Sequence, residues 1–417
     1  MPNTADLLVD TLVRWGVDRI YGIPGDGCNG LIEALRLRRE DIEFVVVRHE
    51  EAAALAASGH AKATGRLGAC LATSGPGAIH LLNGLYDAKL DGAPVVSITG
   101  QTYSDLQGAH YQQEVNVIAL MADVAAYNVQ VNGPEHARLA TDMACRTAIS
   151  RRGVAHLSVP IDIQVQTHAE PSPNAVAGTT PPGPIAWRTR PTDDDLQAAA
   201  NVIAGMRRPL VLAGQGCRGA TAELDSLLRR LQAPVSKPLL GKDVLPDDHP
   251  HCLGGIGHLG TSASSKAAKE CDGLILLGTS FPYVAHLPKP GQAQVVQVDL
   301  HPERIGARAP IDVGLVGDVR ETLRALLPLV PERKPSGWLR QLREEKQAWE
   351  GLLARRADDA GPGERGPLLR PQAAAKAVAD ILKDNAIICC DTGNVTVWAA
   401  RHLPMRGDRR FLFSGTL

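Results

Sequence analysis

FVVVRHEEAAALAASGHAKATGRLGACLATSGPGAIHLLNGLYDAKLDGAPVVSITGQ fills residues 44–101 and reads in succession as strand, acid, helix, strand, Gly-rich turn, helix and strand. Phe44-Val45-Val46-Val47 is a short apolar, β-branched run with the composition of a buried parallel strand. Arg48-His49-Glu50-Glu51 then opens an Ala-rich helix that reaches residue 64. Glu50 therefore stands where a strand hands over to a helix. In an open α/β sheet that junction lies at the carboxyl end of the strands, the side on which ligands bind. The same position also suits a plain helix-start carboxylate facing the macrodipole. A second strand at 68–73 ends in Ser74-Gly75-Pro76-Gly77, a helix follows over 78–90, and 95–99 supplies a third strand. Two ligand-facing turns thus lie side by side.

The chain around this stretch has 417 residues, 44% of them hydrophobic, and 41 glycines, enough for two or three domains with full cores. A formal net charge of −1 gives no electrostatic case for nucleic acid or an anionic membrane as a partner. Asn3 or Thr4 can cap a first helix in which Leu8, Leu12 and Trp15 share a face, while Asp6 and Asp10 interrupt any apolar secretion core. No apolar run approaches the length of a bilayer span. The eight cysteines are scattered without a C-x-x-C, only Cys389 and Cys390 being adjacent, so the expectation is reduced thiols in a cytoplasmic protein. The 13 histidines form no H-E-x-x-H, and no metal ligands are assigned.

Upstream of the opening stretch, 19–23 reads as the first strand and runs into Pro24-Gly25-Asp26-Gly27-Cys28-Asn29, which a tight turn explains. Downstream come a polar loop at 108–114, an amphipathic helix over 134–151 and a strand at 155–159. Residues 167–191 are rich in Pro, Ala, Gly and Thr and read as a linker. A second α/β pattern follows, with a strand at 209–213, a turn at 214–220 and a helix at 221–231. Gly214, Gly216 and Gly219 fit G-x-G-x-x-G on spacing, a weak signal alone because tight strand-to-helix turns use glycines anyway. The strand at 274–277 ends in Gly278-Thr279-Ser280-Phe281-Pro282-Tyr283, and that at 295–298 ends in Asp299-Leu300-His301-Pro302. Leu315-Val316-Gly317-Asp318 completes the set, and an acid after a strand is the usual partner of a ribose hydroxyl. A charged helix over 339–356, a Gly-Pro-rich break at 360–367, a helix at 371–382 and a strand at 386–390 lead to Asp391-Thr392-Gly393-Asn394.

RHEEAAALAASGHAKATG, TSGPGAIHLLNGL and VVSITGQ, all in register, resemble the pyrimidine-binding (Pyr) domain of thiamine diphosphate enzymes. The resemblance implies a doubly wound parallel-sheet domain over 1–166. It makes Glu50 the acid that hydrogen-bonds the cofactor's pyrimidine ring nitrogen, favouring the imino tautomer whose 4′-nitrogen removes the thiazolium C2 proton. It also brings Pro24 close to the pyrimidine and places Thr73, His80 and Asn83 in the thiamine diphosphate site. Gly25-Asp26-Gly27 begins like the family's diphosphate and magnesium motif, but that motif belongs to the C-terminal (PP) domain and ends in an Asn further on. The loop at 108–114 is similar to one that approaches substrate in pyruvate-utilising members, which implies a catalytic role for Gln113; those members usually carry an aromatic residue where this chain has Gln112.

LLGTSFPY, with residues 254–261, resembles the Rossmann-like, flavin-binding central domain of bacterial pyruvate oxidases and pyruvate:quinone dehydrogenases, here over 192–332. That resemblance implies an FAD site at Gly214 and Gly216, at Ile256-Gly257-His258-Leu259, at Gly278-Thr279-Ser280-Phe281-Pro282, and at Val298, Asp299, Gly317 and Asp318. Many relatives keep this domain without a flavin. DTGNVTVW matches the opening of the PP domain, which would occupy 368–417 after a helical linker at 333–367 and bring Gly393 and Asn394 to the diphosphate. By this comparison the PP domain is truncated, and the ligand motif for Mg²⁺ falls in the part the family carries beyond it. The implied activity is oxidative decarboxylation of pyruvate or a similar 2-oxo acid with thiamine diphosphate, Mg²⁺ and FAD, lost in a truncated chain. Acetolactate synthase-like carboligation is the alternative, against which GTSFPY counts, and a non-catalytic flavin-binding or oligomerising fragment is another. A homodimer or homotetramer with the active site between subunits is expected, and contact with quinone or membrane only through the further C-terminal part.

Overall fold

The structure, a computed structural model, describes residues 1–167, 188–358 and 368–417. The linker read at 167–191 lies, apart from its ends, outside the described residues, as does the whole of the break at 360–367. Two compact units divide the chain: Met1–Trp187 with Ser414–Leu417, and Arg188–Phe413.

In the first unit Asn3 is the cap of the opening helix, Thr4–Arg14, and forms a capping box with Asp6, while Leu8 and Leu12 face the core. Six parallel strands follow: β1 (Arg19–Gly22), β2 (Glu43–Val46), β3 (Gly68–Ala72), β4 (Val95–Gln101), β5 (Ala125–Gln130) and β6 (Val154–Pro160). Their order is β2-β1-β3-β4-β6-β5. The chain leaves β1 first towards β2 and then crosses to β3 on the other side, which makes the carboxyl ends of β1 and β3 the switch point of the sheet, where a ligand crevice is expected. β3, β4 and β6 are buried along their whole length, as strands covered on both faces must be. β2 corrects the sequence reading. It is the edge of the sheet, with Val46 64% exposed, because an apolar run does not by itself distinguish a central strand from an edge one. The helix expected over 78–90 is also two helices, Pro76–His80 and Leu82–Asp91, with the buried Leu81 at the joint.

A polar chain crosses this sheet. Thr99 Oγ1 lies 2.9 Å from His156 Nε2, His156 Nδ1 lies 2.8 Å from Asn128 Oδ1, and Asn128 Nδ2 donates to the Ile118 carbonyl at 2.7 Å. The carbonyl acceptor of Asn128 requires a proton on Nδ1, so Nε2 accepts from the threonine hydroxyl. Burial pushes the imidazole pKa down to about 3.

The second unit holds β7 (Pro209–Ala213), β8 (Val235–Lys237), β9 (Cys252–Gly255), β10 (Gly273–Leu277), β11 (Gln294–Asp299) and β12 (Val313–Val316), all parallel, in the order β12-β11-β10-β7-β8-β9. The chain again leaves its first strand in both directions, with the switch point now between β7 and β10. The helix Gly337–Asp358 is tied to this sheet by Trp338, whose indole donates to the Pro209 carbonyl at 3.0 Å. Residues 368–413 add the helices Pro371–Ile381 and Asn394–His402 and a two-stranded parallel sheet of β13 (Ile387–Cys390) and β14 (Arg410–Phe413).

One half-buried carboxylate ties this unit together. Asp247 Oδ1 lies 2.8 Å from Lys237 Nζ, and Oδ2 accepts from Lys242 Nζ at 3.3 Å and from the Met405 amide at 2.7 Å. Lys237 also donates to the Leu245 carbonyl, and Lys242 to the Ala400 carbonyl at 3.0 Å. Burial alone would raise the Asp247 pKa, but the two ammonium groups and the Met405 amide overcome it and hold the carboxyl well below the usual carboxylate range.

His156 gives the fold a pH dependence with a definite sign. The unfolded chain takes up the proton near pH 6.5 and the folded one only near 3, so this group's contribution is complete above about pH 6.5 and is lost as pH falls below it, by about 1.4 kcal/mol per pH unit. Urea unfolding of the unit at pH 7.5, 6 and 5 should show this slope, and His156→Gln should flatten it.

Candidate active site

Glu50 is the first residue of the helix Glu50–Thr64, immediately past β2, and His49 caps that helix by accepting the Glu51 amide on Nδ1 at 3.2 Å. The Glu50 side chain is only 12% exposed although its helix end faces the crevice side of the sheet. Its Oε2 lies 3.0 Å from His80 Nδ1, and the His80 ring stacks on that of His49 with centroids 4.5 Å apart. The ring nitrogen facing Glu50 carries a proton in one tautomer, which fixes the direction of the carboxylate. A Cβ on Gly77 would meet the Thr73 methyl at 2.9 Å and reach 3.4 Å from Glu50 Oε1, so this glycine lies against both side chains. Asn83 Nδ2 donates to Glu51 and not to Glu50.

The turns after β1 and β3 close on one another beside this carboxylate. The Gly27 amide donates to Thr73 Oγ1 at 3.0 Å, and Pro24 stands exposed at the rim. Gly75, at φ +66°, reverses the chain so that Pro76 can start the next helix, and its would-be Cβ lies 2.7 Å from the Gln113 carbonyl. Ser74 Oγ donates to Gln113 Oε1 at 3.2 Å. Gln113 itself sits at φ +60° and His110 at φ +58°, a conformation that costs a non-glycine residue free energy and persists only where surroundings enforce it. Glu114 supplies part of that enforcement, its two oxygens accepting the Gly108 amide at 2.5 Å and the Tyr111 amide at 3.0 Å. Those backbone hydrogen bonds hold its pKa below the ordinary carboxylate value.

The first unit thus gathers Pro24, Glu50, Thr73, His80 and Gln113 at the carboxyl ends of β1, β2 and β3 and the loop after β4. Two participants carried no signal of their own in the sequence: Ser74 as the anchor of Gln113, and His49 as the ring that packs on His80.

In the second unit the glycines at the crevice serve turn-on-turn packing. The Gly216 amide donates to the Gly278 carbonyl at 3.0 Å, and a Cβ on Gly216 would meet Gly278 Cα at 2.7 Å. Phe281 packs against Gly257, Tyr283 meets Phe281 and His258 edge-on, and His286 meets His258 with centroids 4.5 Å apart. Ile256 is buried, Leu259 half-buried and Pro282 exposed. Val298 is core in β11, and Asp299, 5% exposed, accepts the His301 amide at 3.0 Å. Gly317 packs against Pro191 and Thr322, and Asp318 caps the helix Val319–Leu326 through the Glu321 amide. Thr279 and Ser280 lie in the turn itself, where Thr279 Oγ1 accepts the Phe281 amide at 3.2 Å. Gly393 and Asn394 lie past β13 in this same unit, Gly393 at φ +134°.

Residues 2–120 match the thiamine pyrophosphate enzyme N-terminal TPP-binding domain, and residues 196–326 match the thiamine pyrophosphate enzyme central domain. A putative thiamine pyrophosphate-containing protein of Bacillus subtilis is 40% identical over 411 residues, 98% of this chain and 69% of that protein. The pyruvate oxidase of Lactiplantibacillus plantarum is 32% identical, covering 98% of this chain and 66% of its own. A probable acetolactate synthase large subunit of Methanocaldococcus jannaschii is likewise 32% identical, over 99% of this chain and 70% of its own.

Gly75→Ala tests whether the turn holds the loop. The added methyl strains φ and collides with the Gln113 backbone, so a cost of about 1–3 kcal/mol is expected. It should appear as a lower melting midpoint together with faster chymotryptic cleavage at the exposed Tyr103 and Tyr111.

Proposed function

The chain belongs to the thiamine pyrophosphate enzyme family, and from that premise we propose that it serves the oxidative decarboxylation of pyruvate or a similar 2-oxo acid, with FAD as the electron carrier. The observation that carries the reading is Glu50, a sheltered carboxylate held at the carboxyl edge of a parallel sheet with one oxygen fixed by His80. A bound thiamine diphosphate supplies a thiazolium carbon that adds to the carbonyl of a 2-oxo acid and accepts the electron pair released with carbon dioxide. The residues here fit its pyrimidine end. Glu50 holds a proton at the ring nitrogen, and its low exposure keeps water from competing for that proton. Thr73 and the 23–25 turn form the wall beside it, and Gln113 is presented towards the same crevice by Ser74 and Gly75.

FAD enters through the second crevice. The aromatic cluster of Phe281, Tyr283 and His258, whose rings meet edge to face, adjoins the Gly278 turn that packs on 214–216, and aromatic side chains next to a Gly-rich turn suit a ring system carried on a pyrophosphate. Asp299, whose other oxygen does not serve the 299–301 turn, is placed for a ribose hydroxyl. Assembly into a homodimer or homotetramer with active sites between subunits belongs to the same reading. Carboligation of the acetolactate synthase kind is the second reading, supported by a relative as similar as the oxidase.

Two measurements test this. Glu50→Gln should bind thiamine diphosphate yet lose at least about a hundredfold in the rate of C2 proton exchange seen by NMR, because an amide cannot share the proton. An unchanged rate removes Glu50 from the mechanism. Purified protein should carry a visible flavin absorption band or acquire it on adding FAD, and Gly216→Val should lose it. Folded protein that stays colourless with FAD present moves the reading to flavin-free carboligation.

A further inference from the structure

We propose that His49, Glu50 and His80 also form a binding site for a divalent transition-metal ion, and that such an ion displaces a cofactor pyrimidine from Glu50. One donor atom from each of the three lies within 4.8 Å of the others, the one such group among the described residues. Zinc-type ions bind imidazole nitrogen and carboxylate oxygen at about 2.1 Å, which puts the donors of a tetrahedral site about 3.4 Å apart. The contraction needed is within reach of side-chain rotation, since the His49 and His80 side chains are 50% and 43% exposed. His49 Nδ1 exchanges a 3.2 Å bond from the Glu51 amide for the ion, and His80 exchanges its contact with Glu50 for a shared ion.

The donor set chooses the kind of ion. Two imidazoles and one carboxylate suit Zn²⁺, Co²⁺, Ni²⁺ or Cu²⁺, whereas Mg²⁺ prefers an all-oxygen octahedron. Glu51, whose carboxylate stands 3.9 Å from His49 Nδ1, adds a second negative charge beside the cluster. Three protein ligands leave a position for water. Ion binding rests on this geometry alone, while the displacement rests also on the reading of Glu50 given above.

The experiment is a titration of the purified chain with Co²⁺ followed by its visible d–d bands, repeated with Zn²⁺ as the displacing ion. One equivalent should bind with micromolar affinity, without the thiolate charge-transfer band that a cysteine site would give. His49→Gln and His80→Gln should each weaken it at least about tenfold, with the far-ultraviolet circular dichroism of both unchanged. No saturable binding, or equal affinity in the double variant, overturns the site. Thiamine, which keeps the pyrimidine but lacks a diphosphate that would itself chelate the ion, should compete with Co²⁺; binding of both together, with the histidine effect intact, overturns the displacement and leaves the metal site standing. Failure of thiamine to bind the metal-free chain overturns the displacement and counts against the cofactor reading as well.

Discussion

A parallel sheet whose chain departs from its first strand in both directions cannot close its carboxyl edge. At one place, neighbouring crossovers run to opposite sides and leave a switch point at which the turns meet only each other, as the Gly27 amide does Thr73 and the Gly216 amide the Gly278 carbonyl. The molecule contains this constraint twice, between β1 and β3 and between β7 and β10. What surrounds each switch point differs. In the first unit the switch point is flanked by a carboxylate and a strained polar loop, which is chemistry suited to moving a proton. In the second it is flanked by glycine turns packed on one another and by aromatic rings that meet edge to face.

The loop that bears Gln113 shows how much surrounding structure a site of this kind demands. Positive φ at two non-glycine residues is held by the two carboxylate bonds of Glu114 and the hydroxyl of Ser74, and by Ser104, which donates through both its amide and its hydroxyl to Asp162. None of these contacts is close in sequence to all the others. They exist only because β4, β3 and the end of β6 come together at one edge of the sheet.

That separation also explains what the sequence disclosed and what it did not. The long, regular elements were legible: the helices Pro134–Arg151 and Thr221–Leu231 and the strand β7 fall where periodicity and composition place them. β8, β9 and β14 went unread because each is short, and β5 because it is an edge strand with little apolar signal. The edge position of β2 was invisible for the opposite reason, its composition being that of a core strand. Glu50 was legible as a strand-to-helix acid, but its sheltering depends on His80 and Gly77, some thirty residues on, and only a resemblance to known enzymes joined them beforehand. The Gly214 and Gly216 spacing was legible as a turn, yet its partner at Gly278 is a tertiary fact. No pattern announced Asp247, whose partners come from 237, 242 and 405.

That aspartate stands between two buried ammonium groups, one negative charge for two positive ones, with carbonyl oxygens of Leu245 and Ala400 taking up the difference. The imbalance makes the order of substitutions matter over evolutionary time. Losing either lysine first leaves a neutral pair, whereas losing the aspartate first leaves two buried like charges facing each other. Lineages can therefore drift away from this arrangement through one door and not the other. Among homologues, a neutral residue at position 247 is expected only where position 237 or 242 has already ceased to be lysine.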